Sequence, residues 1–185
     1  MMKRPLLQGE LVRLTAIDPQ KDPDFEARWS LDSEYSRLSD SSPAVPHLAR
    51  RLREAIEKRD FDNTNYLFSI HTLDEDRIIG SIGLDGIEWS HGNTFVGIGI
   101  GDRQDWGKGY GTDAMREILR FAFEELNLYR VSLDVFEYNP RAIRSYEKAG
   151  FLYEGRLRGY LHRYGRRWDL IYMGILKEEW EKESQ

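Results

Sequence analysis

Along the first half of the chain the apolar positions change period several times. Residues 10–16, Glu-Leu-Val-Arg-Leu-Thr-Ala, alternate apolar and polar side chains, the period of a half-buried strand. Asp22 and Pro23 read as a cap and a first-turn proline, opening a helix that carries Phe25 and Trp29. The Ser- and Asp-rich stretch 36–46 reads as a loop. Leu48, Leu52, Ala55 and Ile56 then recur at helical spacing and predict a second helix over about 47–59. Strands over 66–71 and 78–84 flank the polar turn Asp74-Glu75-Asp76 as a hairpin. After the turn Ser90-His91-Gly92-Asn93 another strand, rich in β-branched residues and glycine, runs over 95–100.

From Thr112 the period lengthens. Met115, Ile118, Leu119, Ala122, Phe123 and Leu126 share one helix face, with Arg116, Glu117, Arg120 and Glu124 on the other. Residues 129–136 return to a strand, Asn139-Pro140 opens a short helix that Gly150 closes, and 151–175 hold two strands joined near Tyr164-Gly165. The strand–helix–strand unit over 95–136 requires one parallel pair inside an otherwise antiparallel sheet. The expected class is α+β, with mixed α/β order, and nothing that reads as a repeat, low-complexity tract or long linker divides residues 1–185. A single domain is expected.

Composition narrows the function classes. With 40% hydrophobic and 12% aromatic residues the chain can build a core. A net charge of −5 argues against a general basic footprint, so no stable nucleic-acid complex is expected. The absence of cysteine removes disulfides, thiolate metal sites and a covalent cysteine intermediate, and no metal is expected. Met1-Met2-Lys3-Arg4-Pro5 lacks the apolar stretch of a signal peptide and no run of residues is long enough to span a bilayer; a cytoplasmic location is expected.

The candidate chemistry begins at Gly107, Gly109 and Gly111, between the end of the 95–100 strand and the helix after Thr112. Alternating glycines strip a turn of side chains and leave consecutive backbone N–H groups at a helix start, where the macrodipole adds roughly half a positive charge. That is a pyrophosphate cradle, with Lys108 as an electrostatic supplement. A dinucleotide fingerprint would need glycine where Thr112 stands, and a P-loop needs a longer gap followed by Gly-Lys-Ser/Thr.

Gln104-x-x-Gly107-x-Gly109 resembles the Gln/Arg-x-x-Gly-x-Gly/Ala signature of the GNAT superfamily of N-acetyltransferases. The wider Trp106-Gly-Lys-Gly-Tyr-Gly-Thr-Asp-Ala114 resembles its ribosomal-protein N-terminal acetyltransferase branch, as do Glu154-Gly155-x-x-Arg158 and Asp169-x-x-x-Met173-Gly174. A second segment, Asn139-Pro-Arg-Ala142-Ile-Arg144-Ser-Tyr146-Glu-Lys-Ala-Gly150-Phe151, is similar to the GNAT pattern Asn-x-x-Ala-x-x-x-Tyr-Glu-Lys-x-Gly-Phe. The resemblance covers roughly residues 8–177, with its motif core at about 95–155. It implies a three-layer fold with helices on both faces of the sheet, and a parallel strand pair splayed around acetyl-CoA. It further implies that Gln104, Trp106, Gly107, Lys108, Gly109, Tyr110, Gly111 and Thr112 hold the pyrophosphate. The backbone of Ile98, Gly99 and Ile100 would meet the pantetheine arm, Asn139 and Arg144 would add cofactor contacts, and Tyr146 would protonate the leaving thiolate.

With no cysteine, direct attack of a primary amine on the thioester is expected, and a base must take the amine proton. Glu88 is the leading candidate, with Asp85, His162 and His71 behind it; each also reads as an ordinary surface or strand residue. The acceptor is expected to be a protein N-terminal α-amine, ribosomal or other, or a small amine. The acidic residues 22–26 and 32–34 with Trp29 would instead suit a polyamine or aminoglycoside. The arginines at 156, 158, 163, 166 and 167 would suit a carboxylate, a phosphate or ribosomal RNA, or form a solvated hairpin face. A module that binds acetyl-CoA without catalysis and docks on a partner is the rival class, weakened by the joint presence of Asn139 and Tyr146. Trp89, Trp168 and Trp180 are expected to be exposed aromatics that would suit a homodimer.

Overall fold

The computed structural model of the chain describes residues 5–58 and 63–183. Seven strands are present among the described residues: β1 (Val12–Ala16), β2 (Tyr66–Thr72), β3 (Ile78–Glu88), β4 (Asn93–Ile100), β5 (Arg130–Phe136), β6 (Leu152–Arg163) and β7 (Arg166–Leu176). They form one sheet in the order β1-β2-β3-β4-β5-β7-β6. Every pairing is antiparallel except β4 with β5. The helices are α1 (Asp22–Trp29), α2 (Ser33–Ser39), α3 (Ala49–Lys58), α4 (Tyr110–Arg120), α5 (Pro140–Glu147) and α6 (Lys177–Glu183). The class is α+β, as the pattern of periods implies; the last residue of the helix expected over 47–59 lies outside the described residues.

The crossover helix α4 carries the main core. Met115, Ile118 and Leu119 are buried against Val12, Ile70 and Ile82 of the antiparallel half and Val131 and Leu133 of β5. The helix continues past Arg120 as a wider turn, Phe121–Glu125, that buries Ala122 and Phe123. On the opposite face a smaller cluster of Trp29, Tyr35 and Ile78 lies beneath α1 and α2. Glycine in β4 and just beyond its end permits that approach: a Cβ at Gly101 would stand 2.0 Å from the Trp29 ring, and one at Gly99 would stand 2.9 Å from the Tyr35 hydroxyl.

Three departures from the sequence reading have local causes. Asp22 is the first residue of α1 rather than its cap; its buried carboxylate accepts from the Asp18 amide and the Ser69 hydroxyl. Part of the stretch read as loop is α2, started by the Asp32 carboxylate accepting the Glu34 amide at 2.9 Å and held by buried Tyr35. A terminal helix, α6, follows β7 with no signal in the apolar period, and its Trp180 packs on Phe123 with ring centroids 5.4 Å apart. Among the three candidate dimer tryptophans only Trp89 is exposed; edge strand β6 also exposes large apolar side chains, at Leu152, Tyr153, Leu157 and Tyr160.

Asp113, in the first turn of α4, fastens that helix to the start of β1. Its buried carboxylate accepts the amides of Glu10 (3.2 Å), Leu11 (2.8 Å) and Val12 (3.0 Å). Replacing it with alanine strands buried donors, so Asp113→Ala is expected to cost about 1–3 kcal/mol. Urea unfolding checks this: the midpoint falls while the slope is unchanged.

Candidate active site

The site is built around a break in the sheet. Asn93, Thr94 and Phe95 of β4 pair with Arg130, Val131 and Ser132 of β5, and there the parallel ladder ends, although β4 stays paired with β3 as far as Ile100. Beyond Phe95 the two strands part. The Gly101 amide donates to Ile79 on the β3 side, so strand alternation turns the N–H groups of Ile98 and Ile100 toward the gap. The Ile100 carbonyl is already taken, accepting the Trp106 indole N–H at 2.7 Å. The side chains of Ile98 and Ile100 pack toward the α4 core, which leaves the opposite face of this strand to glycine.

A cavity of about 350 Å³ opens at this break. Gly107 and Gly109 border it with φ of 76° and 91°, conformations that suit glycine, and Tyr110, Gly111 and Thr112 bring in the uncapped start of α4. The first N–H groups of an α-helix have no partner within it. Backbone donors, dipole and open space therefore fit a pyrophosphate, and the chain has what the donor acetyl-CoA needs. On the far wall α5 contributes Asn139, Arg141, Arg144, Ser145 and Tyr146. Asn139 is the expected cap, its side-chain oxygen accepting the Ala142 amide at 3.2 Å, and the Thr112 and Ser145 hydroxyls lie 2.8 Å apart, tying α5 to α4. Trp106 is clamped from above by Arg141, whose guanidinium carbon sits 3.7 Å from the ring centroid.

Not every residue implied by the resemblance reaches this cavity. Ile98, Gly99, Ile100, Trp106, Asn139 and Arg144 line it, with the glycine loop and Tyr146. Gln104 is exposed in the short turn Arg103–Asp105, and exposed Lys108 has its ammonium 3.9 Å from Asp105; neither side chain is on the wall. Glu88 is at the wrong end of its strand. In the β3–β4 register Gly99 faces Ser81, and Glu88 lies seven residues further along, opposite Asn93. At ~3.3 Å per residue that is roughly 23 Å along the sheet from the Gly99–Ser81 pair. The antiparallel hairpin carries Glu88 away from the site, whereas Asp85 stands opposite Phe95, where the β4–β5 ladder ends.

The structure brings forward a carboxylate that the sequence reading passed over. Val131, Leu133 and Val135 of β5 point into the main core, which puts Asp134 on the other face, the face of Phe136. Asp134 stands two residues beyond the last β4–β5 pair. The same register, continued through the gap, would set it against Gly97, where a Cβ would meet nothing within 4 Å. It makes no hydrogen bond or ion pair among the described residues. Surrounding protein raises its pKa above the usual carboxylate value. Its charge is felt by Tyr146: burial, then the Asp134 carboxylate, push the phenol up to about 12, with Arg141 opposing. The signal in the sequence was a lone acid in an apolar strand, Val-Ser-Leu-Asp-Val-Phe.

The remaining wall belongs to α2. Tyr35, Leu38 and Ser39 are the cavity residues that come from neither the glycine loop, β4 nor α5. Behind them Glu26 accepts from the hydroxyls of Ser81 (2.9 Å) and Tyr35 (3.2 Å), and burial raises its pKa. The arrangement is a two-sided cleft: donors for a phosphate-bearing thioester on one side of the sheet, and an open approach over Gly97 on the other.

Comparison with known proteins agrees with this geometry. The profile of the Acetyltransferase (GNAT) domain matches residues 12–152, and the chain belongs to this family. It is 31% identical over 173 residues to the SPbeta prophage-derived uncharacterized N-acetyltransferase YokL of Bacillus subtilis, covering 94% of both chains. It is 36% identical over 107 residues to the putative ribosomal N-acetyltransferase YdaF of Bacillus subtilis, 58% of either chain. A solved spermidine N-acetyltransferase from Vibrio cholerae, in complex with CoA and spermine, superposes with a TM-score of 0.82 at 25% identity, over 92% of this chain and 98% of that one. The protein is thus an N-acetyltransferase that uses acetyl-CoA as its co-substrate. No described helix is long and apolar enough to cross a membrane.

Proposed function

We propose that the enzyme acetylates a single primary amine by direct attack within a ternary complex, the acceptor being a polypeptide N-terminal α-amine or a small monoamine. The observation that carries this reading is the unpaired Asp134 carboxylate facing the open ground over Gly97, electrostatically coupled to Tyr146. Asp134 receives the proton of the incoming ammonium, directly or through one water. The freed nitrogen attacks the thioester carbonyl, whose oxygen is met by the backbone N–H groups of Ile98 and Ile100. The carbon–sulfur bond breaks, the thiolate takes the Tyr146 proton, and the nitrogen gives its second proton to the tyrosinate so formed, which leaves the amide and restores the phenol. A phenol at about 12 holds its proton tightly, and Asp134 helps to keep it there. Once Asp134 is protonated by the amine that hold weakens, so the first transfer promotes the second.

The monoamine reading is supported by how the acids of residues 22–34 are committed. Asp24 pairs with Arg53 at 2.6 Å, and Arg103 engages both Asp32 (2.5 Å) and Glu34 (3.3 Å). Asp22 and Glu26 are held by Ser69 and Ser81. The rival polyamine reading is favoured by the likeness to a spermidine acetyltransferase solved with spermine. Thiol release from acetyl-CoA across N-terminal peptides, amino acid amides, monoamines and polyamines decides between them. Turnover with monoamines or peptides supports the proposal, and turnover confined to polyamines overturns it.

Gly97 offers a separate check of where the acceptor lies. A side chain there meets no protein atom within 4 Å, so Gly97→Val is expected to fold normally. It would fill the acceptor's space and raise acceptor KM by about tenfold or more, as for a lost contact of roughly 1.4 kcal/mol. Acetyl-CoA affinity, measured by calorimetry, stays within about twofold.

A further inference from the structure

The β6–β7 hairpin does not run straight out from the sheet. Between Leu157 and Leu161 its register shifts, with Gly159 at φ 60°, and a two-residue turn, Tyr164 (φ 53°) and Gly165 (φ 75°), ends it. The tip meets the end of α2. The Tyr138 hydroxyl, just before α5, donates to the Arg37 carbonyl at 2.5 Å. The Arg163 guanidinium donates to the carbonyls of Asp40 (3.0 Å) and Ser42 (2.6 Å), and the Arg37 guanidinium lies 5.3 Å from the Tyr164 ring centroid. These groups are braced from behind: Tyr138 stacks on Phe136 and meets Trp168 edge-on, each at 5.3 Å, and the Trp168 indole donates to Arg163's own carbonyl at 2.9 Å.

The segment gripped in this way is otherwise thinly attached. Within α2 only Tyr35 is buried, and the other tether is the pairing of Asp32 and Glu34 with Arg103 at its start. Yet Leu38 and Ser39, which line the cavity, lie between Arg37 and Asp40, the residues held by the hairpin side. Tyr138 likewise adjoins cavity residue Asn139. We propose that Tyr138 and Arg163 determine acceptor specificity: by clasping the end of α2 to the β6–β7 hairpin they fix the width of the acceptor entrance. The inference rests on α2 being the acceptor wall. Two further arginines of the cluster also have partners within the hairpin, Arg156 pairing with Asp169 at 3.3 Å and Arg166 lying over Trp168 at 3.4 Å.

The test uses full-length Arg163→Ala and Tyr138→Phe, with Arg163→Lys as the conservative control. Amide exchange across 33–42 is measured alongside two-substrate kinetics on slender and α-branched amines. Loss of such hydrogen bonds is expected to speed exchange in 33–42 about five- to tenfold, with Arg163→Lys keeping part of the protection. Acceptor KM for the preferred slender amine is expected to rise about fivefold and discrimination against branched amines to shrink, while acetyl-CoA KM stays within about twofold. Unchanged exchange in 33–42, or unchanged acceptor selectivity despite faster exchange, would overturn the proposal, as would equal losses toward both substrates. If the wild type transfers acetyl to no amine, the acceptor reading fails and specificity falls with it, while the exchange data still report whether the clasp holds α2.

Discussion

Tyr146→Phe is expected to lower turnover by roughly 10²-fold or more, the usual range for loss of a positioned proton donor, while leaving acetyl-CoA affinity nearly unchanged. The tyrosine lines the cavity on α5, and its hydroxyl makes no hydrogen bond among the described residues, so the substitution removes a reactive group and little structure. Pre-steady-state thiol release with a saturating amine separates its effect on chemistry from any on product release. Full activity in the variant would remove Tyr146 from the mechanism. Because burial and Asp134 push its pKa up to about 12, the tyrosine stays protonated through the neutral range, and no alkaline decline below about pH 9 should trace to it.

Asp134→Asn is expected to reduce kcat/KM by about 10²–10³-fold at neutral pH, the usual contribution of a general base. The sign of the pH effect follows from its role. Asp134 must be ionised to accept a proton, so in the wild type kcat/KM falls as pH drops through its pKa, which burial raises above the ordinary carboxylate value. In Asp134→Asn that acid limb disappears and the residual rate rises with pH, as more of the amine arrives already deprotonated. Glu88→Gln, changed at the far end of β3, is expected to alter neither rate nor profile. An acid limb that survives Asp134→Asn unchanged would assign the base elsewhere.

Features set by local geometry were legible in the chain. The glycine loop announces itself because backbone at positive φ beside a helix start favours glycine, and Asn139-Pro140 with Gly150 marks both ends of α5 through capping. The parallel pair follows from a strand–helix–strand order, whatever the side chains. What escaped depends on register between distant segments. Asp134 reads as a stray acid until the β4–β5 ladder is seen to end at Phe95 and Ser132. Glu88 looked close to the cofactor strand because it precedes β4 by few residues, yet a hairpin converts closeness in sequence into remoteness along the strand. The helix α2 hid in a polar stretch because its hold on the protein comes from Tyr35, Arg103, Tyr138 and Arg163, partners that no local period reveals. Asp113 looked like ordinary first-turn acid, and its grip on β1 spans about a hundred residues of chain.

The central claim is that the amine attacks acetyl-CoA directly, in the gap between β4 and β5, with no acetyl group resting on the protein. Initial rates over a grid of acetyl-CoA and preferred-amine concentrations test it most directly, with the intact enzyme weighed by mass spectrometry after acetyl-CoA alone. Intersecting reciprocal plots and an enzyme of unchanged mass are the predicted result. Parallel plots, together with an enzyme heavier by one acetyl group that the amine then removes, would contradict it.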